Sequence, residues 1–199
     1  MTFKELDKFY NKLVDRSQNR YSIFNPIRNH FLNMYLTGKK VGRLKCAEIG
    51  VFRGNFSKKI EEFLSPEHLY LIDIWEPYND TSHLCKESKE YFDYIYDEVN
   101  NTFSNKNLYT IMKTTSENAS HNISDNSLDF IYIDANHNDC FNDLTYWFPK
   151  LNNTGIIAGH DYYGKVKNDV DNFFKQHNKI VYLCDSNIPQ WYCIKNSCI

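Results

Sequence analysis

The chain has 199 residues, of which 42% are hydrophobic, 16% aromatic and 24% charged, a composition typical of one globular domain and not of a disordered chain. Its 23 lysine and arginine residues nearly balance its 25 acidic residues, so the basic stripe of nucleic-acid-binding proteins is missing and we expect no nucleic-acid partner. It has no apolar run long enough for a membrane span and no apolar secretory signal. Because its six cysteines show no C-x-x-C spacing either, we expect a reduced, cytoplasmic protein without a membrane partner.

Residues 1–40 carry apolar side chains at helical spacing on both sides of Pro26, which predicts two short helices. We interpret them as an N-terminal helical cap that precedes a second unit over residues 41–199. The aromatic residues of this cap can cover the core of the same chain or that of a second copy, which leaves a homo-oligomer open.

From residue 45 onward, short apolar runs alternate with stretches whose apolar residues have helical spacing. This alternation is typical of a doubly wound α/β sandwich. We therefore predict a mostly parallel, seven-stranded, Rossmann-like sheet with helices on both faces, whose ligands bind beyond the carboxyl ends of the strands. The predicted strands cover residues 46–51, 68–75, 108–112, 128–134, 155–159, 180–184 and 190–194, and the predicted helices cover 55–64, 84–104, 141–151 and 166–176, with a short helix in the polar stretch after residue 112.

A loop with two glycines follows the first predicted strand. Gly50 allows a positive φ or the close approach of a ligand, and Gly54 opens the next helix. The dinucleotide fingerprint requires another glycine where Phe52 stands, so the loop favours a nucleoside ligand without a pyrophosphate. Glu48 suits a cationic group of that ligand, and Asp73, at the end of the second strand, can accept hydrogen bonds from both ribose hydroxyls.

Acidic and histidine residues follow two later strands that we expect to be neighbours. Asp134 ends one of them, and His160 and Asp161 end the next. Because neighbouring strands lie ~4.8 Å apart, these three side chains can converge on one divalent cation. Two carboxylates with an imidazole favour Mg²⁺ or Mn²⁺. His137 lies one helical turn beyond Asp134, where it can take the proton of a substrate hydroxyl.

Residues 47–57 and 71–75 resemble motif I and the second-strand acid of the class I S-adenosylmethionine-dependent methyltransferases. The resemblance implies that S-adenosyl-L-methionine is the cofactor. It also implies a role for each of the matching residues: Glu48, Gly50 and Gly54 would surround the methionine part, Asp73 would hold the ribose, and Trp75, Thr115, Ser116 and Glu117 would lie near the adenine. Asp134 faces the same cleft, and we assign it to catalysis, to the cofactor and to the metal.

Residues 129–162 resemble the metal-dependent O-methyltransferases of sugars and glycosylated natural products, the macrocin type. That family has a strand ending I-D-A-x-H, a helix with D-L-x-x-W and a G-H-D-Y segment. The matching residues are Asp134, Ala135, His137, Asp143, Leu144, Trp147, Gly155, Gly159, His160, Asp161 and Tyr162.

This second resemblance implies Asp134 and Asp161 as metal ligands, His160 as a third ligand and His137 as the general base. The expected reaction is methyl transfer to a hydroxyl of a sugar or a glycosylated small molecule. Asp139 and Cys140 stand where the family has Tyr-Glu, and Asn153 and Thr154 stand where it has Pro-Gly. These departures concern contacts with the acceptor more than the fold.

Three other functions compete with this interpretation. A nucleotide-dependent oxidoreductase would use a similar sheet, but Phe52 argues against it. A nucleic-acid amino-methyltransferase would need a Pro-Pro strand end, and no Pro-Pro occurs in the chain. A binding module that has kept the cleft and lost turnover stays open.

Overall fold

The computed structural model describes residues 21–39, 42–78, 86–184 and 189–196. Helices and strands alternate along these ranges, and a 3-10 turn, Phe148–Lys150, joins the fifth helix to the fifth strand. In chain order the elements are α1 (Phe24–Leu36), β1 (Lys45–Ile49), α2 (Asn55–Leu64), β2 (His68–Asp73), α3 (Lys89–Thr102), β3 (Tyr109–Lys113), α4 (Ser116–Ser120), β4 (Leu128–Ile133), α5 (Cys140–Trp147), β5 (Leu151–Gly159), α6 (Gly164–Gln176), β6 (Tyr182–Cys184) and β7 (Gln190–Ile194).

The seven strands form one sheet in the order β3-β2-β1-β4-β5-β7-β6. The pairs from β3 to β5 are parallel, and β7 runs antiparallel to both of its neighbours. The predicted mostly parallel, seven-stranded sheet with helices on both faces is thereby confirmed. Because the strand order reverses between β1 and β4, the cleft for a ligand opens at the carboxyl ends of these two strands.

Alternating side chains of the central strands supply two cores, one on each face of the sheet. In β4, Phe130 and Tyr132 face one core, and Ile131 and Ile133 face the other. This division follows from the period of two along a strand. The first core is covered by α1, α2 and α3, and the second is covered by α4, α5 and α6. Every residue of β4 is buried, as expected for a central strand of a parallel sheet.

Several element boundaries differ from their predicted positions. α1 begins at Phe24, before Pro26, because proline is tolerated in the first turn of a helix. α3 begins at Lys89, where the Ser88 side chain accepts a hydrogen bond from the Tyr91 backbone N–H. The first predicted cap helix lies outside the described residues, and the division at residue 40 stays a prediction.

α1 packs into the same core as β1 and α2 through Phe24, Ile27 and Phe31. His30 adds a hydrogen bond of 2.7 Å between its Nε2 and the Thr154 backbone oxygen. No helix within the described ranges is long and apolar enough to cross a membrane.

Candidate active site at the carboxyl edge of the sheet

The glycine loop (residues 50–54) joins β1 to α2 at the switch point of the sheet. Gly50 has a φ of +92°, and a Cβ atom there would lie 2.0 Å from the backbone oxygen of Asp134. Only glycine therefore fits at position 50, because the loop after β1 touches the chain that leaves β4. The sequence predicted this conformational freedom but attributed it to a turn or a ligand. The structure shows that the neighbouring strand end is the close contact.

Asp73, at the end of β2, ties the glycine loop to the loop that follows β2. Its Oδ2 accepts a hydrogen bond of 2.8 Å from the Phe52 backbone N–H, and its Oδ1 accepts one of 2.8 Å from that of Trp75. Burial raises the pKa of Asp73, and these backbone donors oppose the increase. The backbone N–H groups of Val51 and Ile74 lie close to this carboxylate as well. The predicted hydrogen bonds of Asp73 with the ribose hydroxyls stay a prediction.

Trp75 and Glu48 lie beneath the surface of the cleft. The Trp75 indole is fully buried beside Tyr96 and donates a hydrogen bond of 2.7 Å to the Phe52 backbone oxygen. Glu48 is only 1% exposed, and its carboxylate accepts a hydrogen bond from the Ser57 hydroxyl. Such a bond is needed because burying a carboxylate without a donor is costly. The predicted contacts of both residues with the cofactor stay predictions.

Ser116 lies at the first position of α4, directly after β3. The loop that carries it is anchored next to Asp73, because the Thr114 backbone N–H donates to the Asp73 backbone oxygen over 3.0 Å. The Ser116 hydroxyl accepts a hydrogen bond of 2.8 Å from the Trp147 indole. The structure therefore places Ser116 two residues beyond a direct contact with Asp73, and its predicted role near the adenine stays a prediction.

Asp134, His137, His160 and Asp161 form an acid–histidine cluster at the ends of β4 and β5. His137 Nε2 lies 2.6 Å from Asp161 Oδ2. His160 Nδ1 lies 3.1 Å from Asp161 Oδ1 and 4.0 Å from Asp134 Oδ1. The fold thus brings together the four residues that the sequence placed at two neighbouring strand ends.

Asp161 carries the strongest electrostatic perturbation in this cluster. Burial raises its pKa, but hydrogen bonds from His137 and His160 outweigh burial and hold the pKa below its ordinary value. The carboxylate therefore stays ionised and can orient both imidazole rings. Its backbone is strained as well, with a φ of +55°. Of the six non-glycine residues with positive φ in the described ranges, three (Phe52, Trp75 and Asp161) lie at this edge, where such strain is often associated with function.

The cluster fits a hard or borderline cation. The ligand atoms of Asp134, His137 and Asp161 all lie within 4.8 Å of one another. Carboxylate oxygens with imidazole nitrogen suit Mg²⁺ or Mn²⁺. The sequence named His160 as the third ligand and His137 as the base, whereas the structure places both imidazoles against Asp161.

Tyr163 is a further side chain at this cluster that sequence reasoning missed. It is 58% exposed, and its hydroxyl lies close enough to Asp161 to interact with it. Burial is the main factor that raises the pKa of this hydroxyl, and the nearby charges of Asp161 and Asp134 raise it further. Its position directly after the G-H-D-Y segment is the one signal in the sequence that pointed to it.

Comparison with known proteins identifies the family. The model of the family described as "Methyltransferase domain" matches residues 47–162, more than half of the chain and the whole stretch from the glycine loop to the acid–histidine cluster. The chain therefore belongs to this methyltransferase family, and it is a class I S-adenosylmethionine-dependent methyltransferase, as predicted. No curated protein matches the sequence significantly.

Solved structures share the fold at low sequence identity. A putative caffeoyl-CoA O-methyltransferase from Staphylococcus aureus has a TM-score of 0.62 and 15% identity, covering 98% of this chain and 92% of that chain. The O-methyltransferase NovP has a TM-score of 0.60 and 16% identity, covering 87% and 79%. The SAH-bound methyltransferase PaMTH1 from Podospora anserina has a TM-score of 0.57 and 11% identity, covering 75% and 70%.

A spermidine synthase from Thermotoga maritima also shares the fold, with a TM-score of 0.55 and 15% identity. The match covers 77% of this chain and 54% of that chain, so this chain spans about half of the synthase's length. Because proteins whose names give different reactions share this sheet, the choice of reaction depends on the site residues.

Proposed function

We propose that this methyltransferase transfers its methyl group to the hydroxyl of a small-molecule acceptor, with His137 as the general base and a divalent cation at Asp134 and Asp161. The observation that carries the proposal is the 2.6 Å contact between His137 Nε2 and Asp161 Oδ2, next to the glycine loop. A histidine held by an ionised carboxylate is the usual arrangement of a general base.

Asp161 sets the tautomer of the His137 imidazole, because it lies 2.6 Å from Nε2. When the Nε2–H donates to Asp161, the basic nitrogen of the neutral ring is Nδ1. That nitrogen can then accept the proton that an aliphatic hydroxyl must lose as it takes up a methyl group. The Asp161 carboxylate stabilises the imidazolium that results, because it lies within hydrogen-bond distance of the ring.

S-Adenosylmethionine, when bound, supplies an electrophilic methyl group on a sulfonium sulfur. The residues that would hold it are Asp73 at the ribose, Ser116 near the adenine, and the backbone of the glycine loop at the methionine part. Phe52 occupies the position of the missing glycine in a left-handed conformation, with a φ of +49°. Its backbone N–H and backbone oxygen bind Asp73 and Trp75, so the loop is held in one conformation before the cofactor arrives.

A divalent cation, when bound, supplies positive charge that stabilises the developing alkoxide. Asp134 and Asp161 are its proposed ligands, with His160 as the third. His160 suits this role because it is buried, 7% exposed, and its Nδ1 faces both carboxylates. His137 then remains the proton acceptor.

The acceptor that we propose is a sugar or a glycosylated small molecule in the cytoplasm. The resemblance of residues 129–162 to the macrocin-type enzymes supports this choice. The exposed Tyr163 ring beside Asp161 supports it too, because aromatic faces pack against the apolar faces of sugar rings and other flat acceptors.

The test is a methyl-transfer assay over a panel of free sugars and glycosylated natural products, with formation of S-adenosylhomocysteine as the readout. EDTA should abolish turnover, and Mg²⁺ or Mn²⁺ should restore it. His137→Ala should lower kcat by roughly 10²–10⁴-fold, the usual contribution of a general base. His121→Gln, an exposed histidine at the end of α4, is the matched control and should behave like the wild type.

Full activity in EDTA would refute the metal and leave the base. Unchanged turnover of His137→Ala with every acceptor that reacts would refute the base.

A further inference from the structure

Two residues of the D-L-x-x-W segment, Asp143 and Trp147, converge on Ser116 of α4. The Trp147 indole is fully buried and donates a hydrogen bond of 2.8 Å to the Ser116 hydroxyl. Asp143 is 5% exposed, and its carboxyl group lies close enough to the same hydroxyl to interact with it. They stand four residues apart on α5 and therefore share one face of the helix.

The direction of these hydrogen bonds follows from the chemistry of the groups. An indole N–H can only donate, so the Ser116 oxygen accepts from Trp147, which leaves the one hydroxyl hydrogen available to the nearby Asp143 carboxyl group. The contact therefore sets both the position and the orientation of the Ser116 side chain. A buried polar network of this kind makes the surrounding structure more rigid when every member is satisfied.

The segment that Ser116 opens lies beside the proposed ribose carboxylate. Thr114, two residues earlier, donates its backbone N–H to the Asp73 backbone oxygen over 3.0 Å. One end of the loop is thus tied to Asp73, and the other end is tied to α5. The same helix starts at Cys140, three residues after His137, so α5 connects the cofactor side of the cleft with the acid–histidine cluster.

We propose that Asp143 and Trp147 are positioning residues that hold Ser116 so that residues 115–117 form the adenine side of the cofactor pocket. The proposal rests on the binding of S-adenosylmethionine at this edge of the sheet and is independent of the metal and of the base. A purely structural role would be met by an apolar contact, as at the neighbouring Leu144, which is fully buried in the core.

Burying the Asp143 carboxyl group costs free energy, and its contact with Ser116 offsets part of that cost. Burial is the main cause that raises the pKa of Asp143 to about 7, a value that already includes a lowering by the Ser116 hydroxyl and a rise from the charge of Asp139. The Ser116 hydroxyl is therefore a stabilising partner of a carboxyl group that burial otherwise disfavours. The pair favours one arrangement of α4 against α5.

The test measures the dissociation constants of the full chain for S-adenosylhomocysteine and S-inosylhomocysteine, which differ only at the base. Trp147→Phe keeps an aromatic ring and removes the donor, and Asp143→Leu removes the acceptor. We expect each substitution to weaken the binding of S-adenosylhomocysteine by about tenfold, the effect of one lost hydrogen bond in a buried network. The affinity for S-inosylhomocysteine should fall by less, so the preference of the protein for adenine should decrease.

Two further variants separate positioning from general damage. Asp143→Asn retains an oxygen that can accept from Ser116 and should bind S-adenosylhomocysteine within about threefold of the wild type, since less than one hydrogen bond is lost. Thr145→Ala lies on the exposed face of α5, where its hydroxyl bonds only within the helix to Phe141, and should have no effect. The kcat at saturating S-adenosylmethionine should stay unchanged in all four variants while KM rises in the first two.

Equal losses for the adenine and inosine compounds, or full affinity in a folded Trp147→Phe variant, would overturn the proposal. If Trp147→Phe does not fold, Ser116→Ala at the half-buried end of α4 takes its place and should show the same loss of S-adenosylhomocysteine affinity, about tenfold for one hydrogen bond, with a smaller loss for the inosine compound. Absence of binding by the wild type would overturn the proposal together with the cofactor assignment. Normal binding by the wild type without metal-dependent turnover would refute only the proposed O-methyl transfer.

Discussion

Two carboxylates at the same edge of the sheet, Asp73 and Asp161, are surrounded in opposite ways. Asp73 accepts hydrogen bonds from neutral backbone N–H groups, and burial raises its pKa. Asp161 is buried too, but His137 and His160 hold its pKa below the ordinary value. Under the proposed function, this difference divides the cleft into a cofactor side, which positions hydrogen-bond acceptors, and a transfer side, which concentrates charge near the reacting hydroxyl.

The comparison predicts that substitutions on the transfer side change turnover more than affinity. Asp161→Asn removes the charge that orients His137 and one proposed metal ligand. We expect kcat to fall by roughly 100-fold or more, the range for a lost general base or its partner, while affinity for S-adenosylhomocysteine stays unchanged. The measurements are steady-state kinetics and calorimetric titration.

Asp125→Asn is the matched control, because Asp125 pairs with Lys150 on the surface at 2.7 Å and has no role in the proposed site. A parallel loss of cofactor affinity in Asp161→Asn would show that the two sides of the cleft are not separate.

Asp73→Asn should have the converse effect. The amide keeps one acceptor oxygen but loses charge-assisted hydrogen bonding to the ribose, so we expect a weakening of S-adenosylhomocysteine by roughly 10–100-fold. At saturating S-adenosylmethionine, kcat should stay close to that of the wild type. Calorimetric affinity combined with kcat checks this, and a large fall in kcat at saturation would contradict the division.

Local sequence patterns were enough to place the acids of both proposed sides at the ends of strands. An apolar run followed by an acid marks the end of a buried strand, and Asp73, Asp134 and Asp161 were all found in this way. The prediction that β4 and β5 are neighbours was enough to bring Asp134 and Asp161 together, because the pairing of these strands sets the distance between their ends.

Contacts that depend on loop conformation could not be predicted from local patterns. The bonds from Phe52 and Trp75 to Asp73 need two left-handed residues that no sequence rule anticipates. No local pattern places β7 between β5 and β6 either, because strand order depends on contacts distant in sequence. The convergence of Asp143 and Trp147 on Ser116 likewise depends on how α4 packs against α5.

Gly50 lies where the two sides of the cleft meet, and its replacement tests how closely they pack. In Gly50→Ala the new Cβ would lie 2.0 Å from the Asp134 backbone oxygen at a φ of +92°. We expect a loss of about 2 kcal/mol in the free energy of unfolding, from backbone strain and displaced chain. Urea denaturation measures it.

Gly38→Ala is the control for strain alone, since Gly38 also has a positive φ, +68°, but no atom lies within 4 Å of its Cβ position. Equal destabilisation by the two substitutions would show that the contact between the loop and Asp134 contributes nothing.

The smallest expected effect concerns Asp143, which links the two sides through α5. Burial raises its pKa to about 7 in the folded protein, whereas an unfolded chain has a value near ~3.9. Between these values the folded state binds the proton more tightly, so the stability that the neutral group contributes is lost as pH rises through the folded pKa. From pH 6 to pH 8 this loss is about 1 kcal/mol.

Asp143→Asn cannot titrate, so its stability relative to the wild type should increase by that amount over the same interval. Three other groups interact electrostatically with Asp143, namely Asp139, Cys140 and Tyr146. Because all three are present in both proteins, their contributions to the difference in stability cancel to first order. Urea denaturation at several pH values measures the difference. A constant difference between pH 6 and pH 8 would mean that Asp143 is ionised throughout, and hence that its bond from Ser116 outweighs burial.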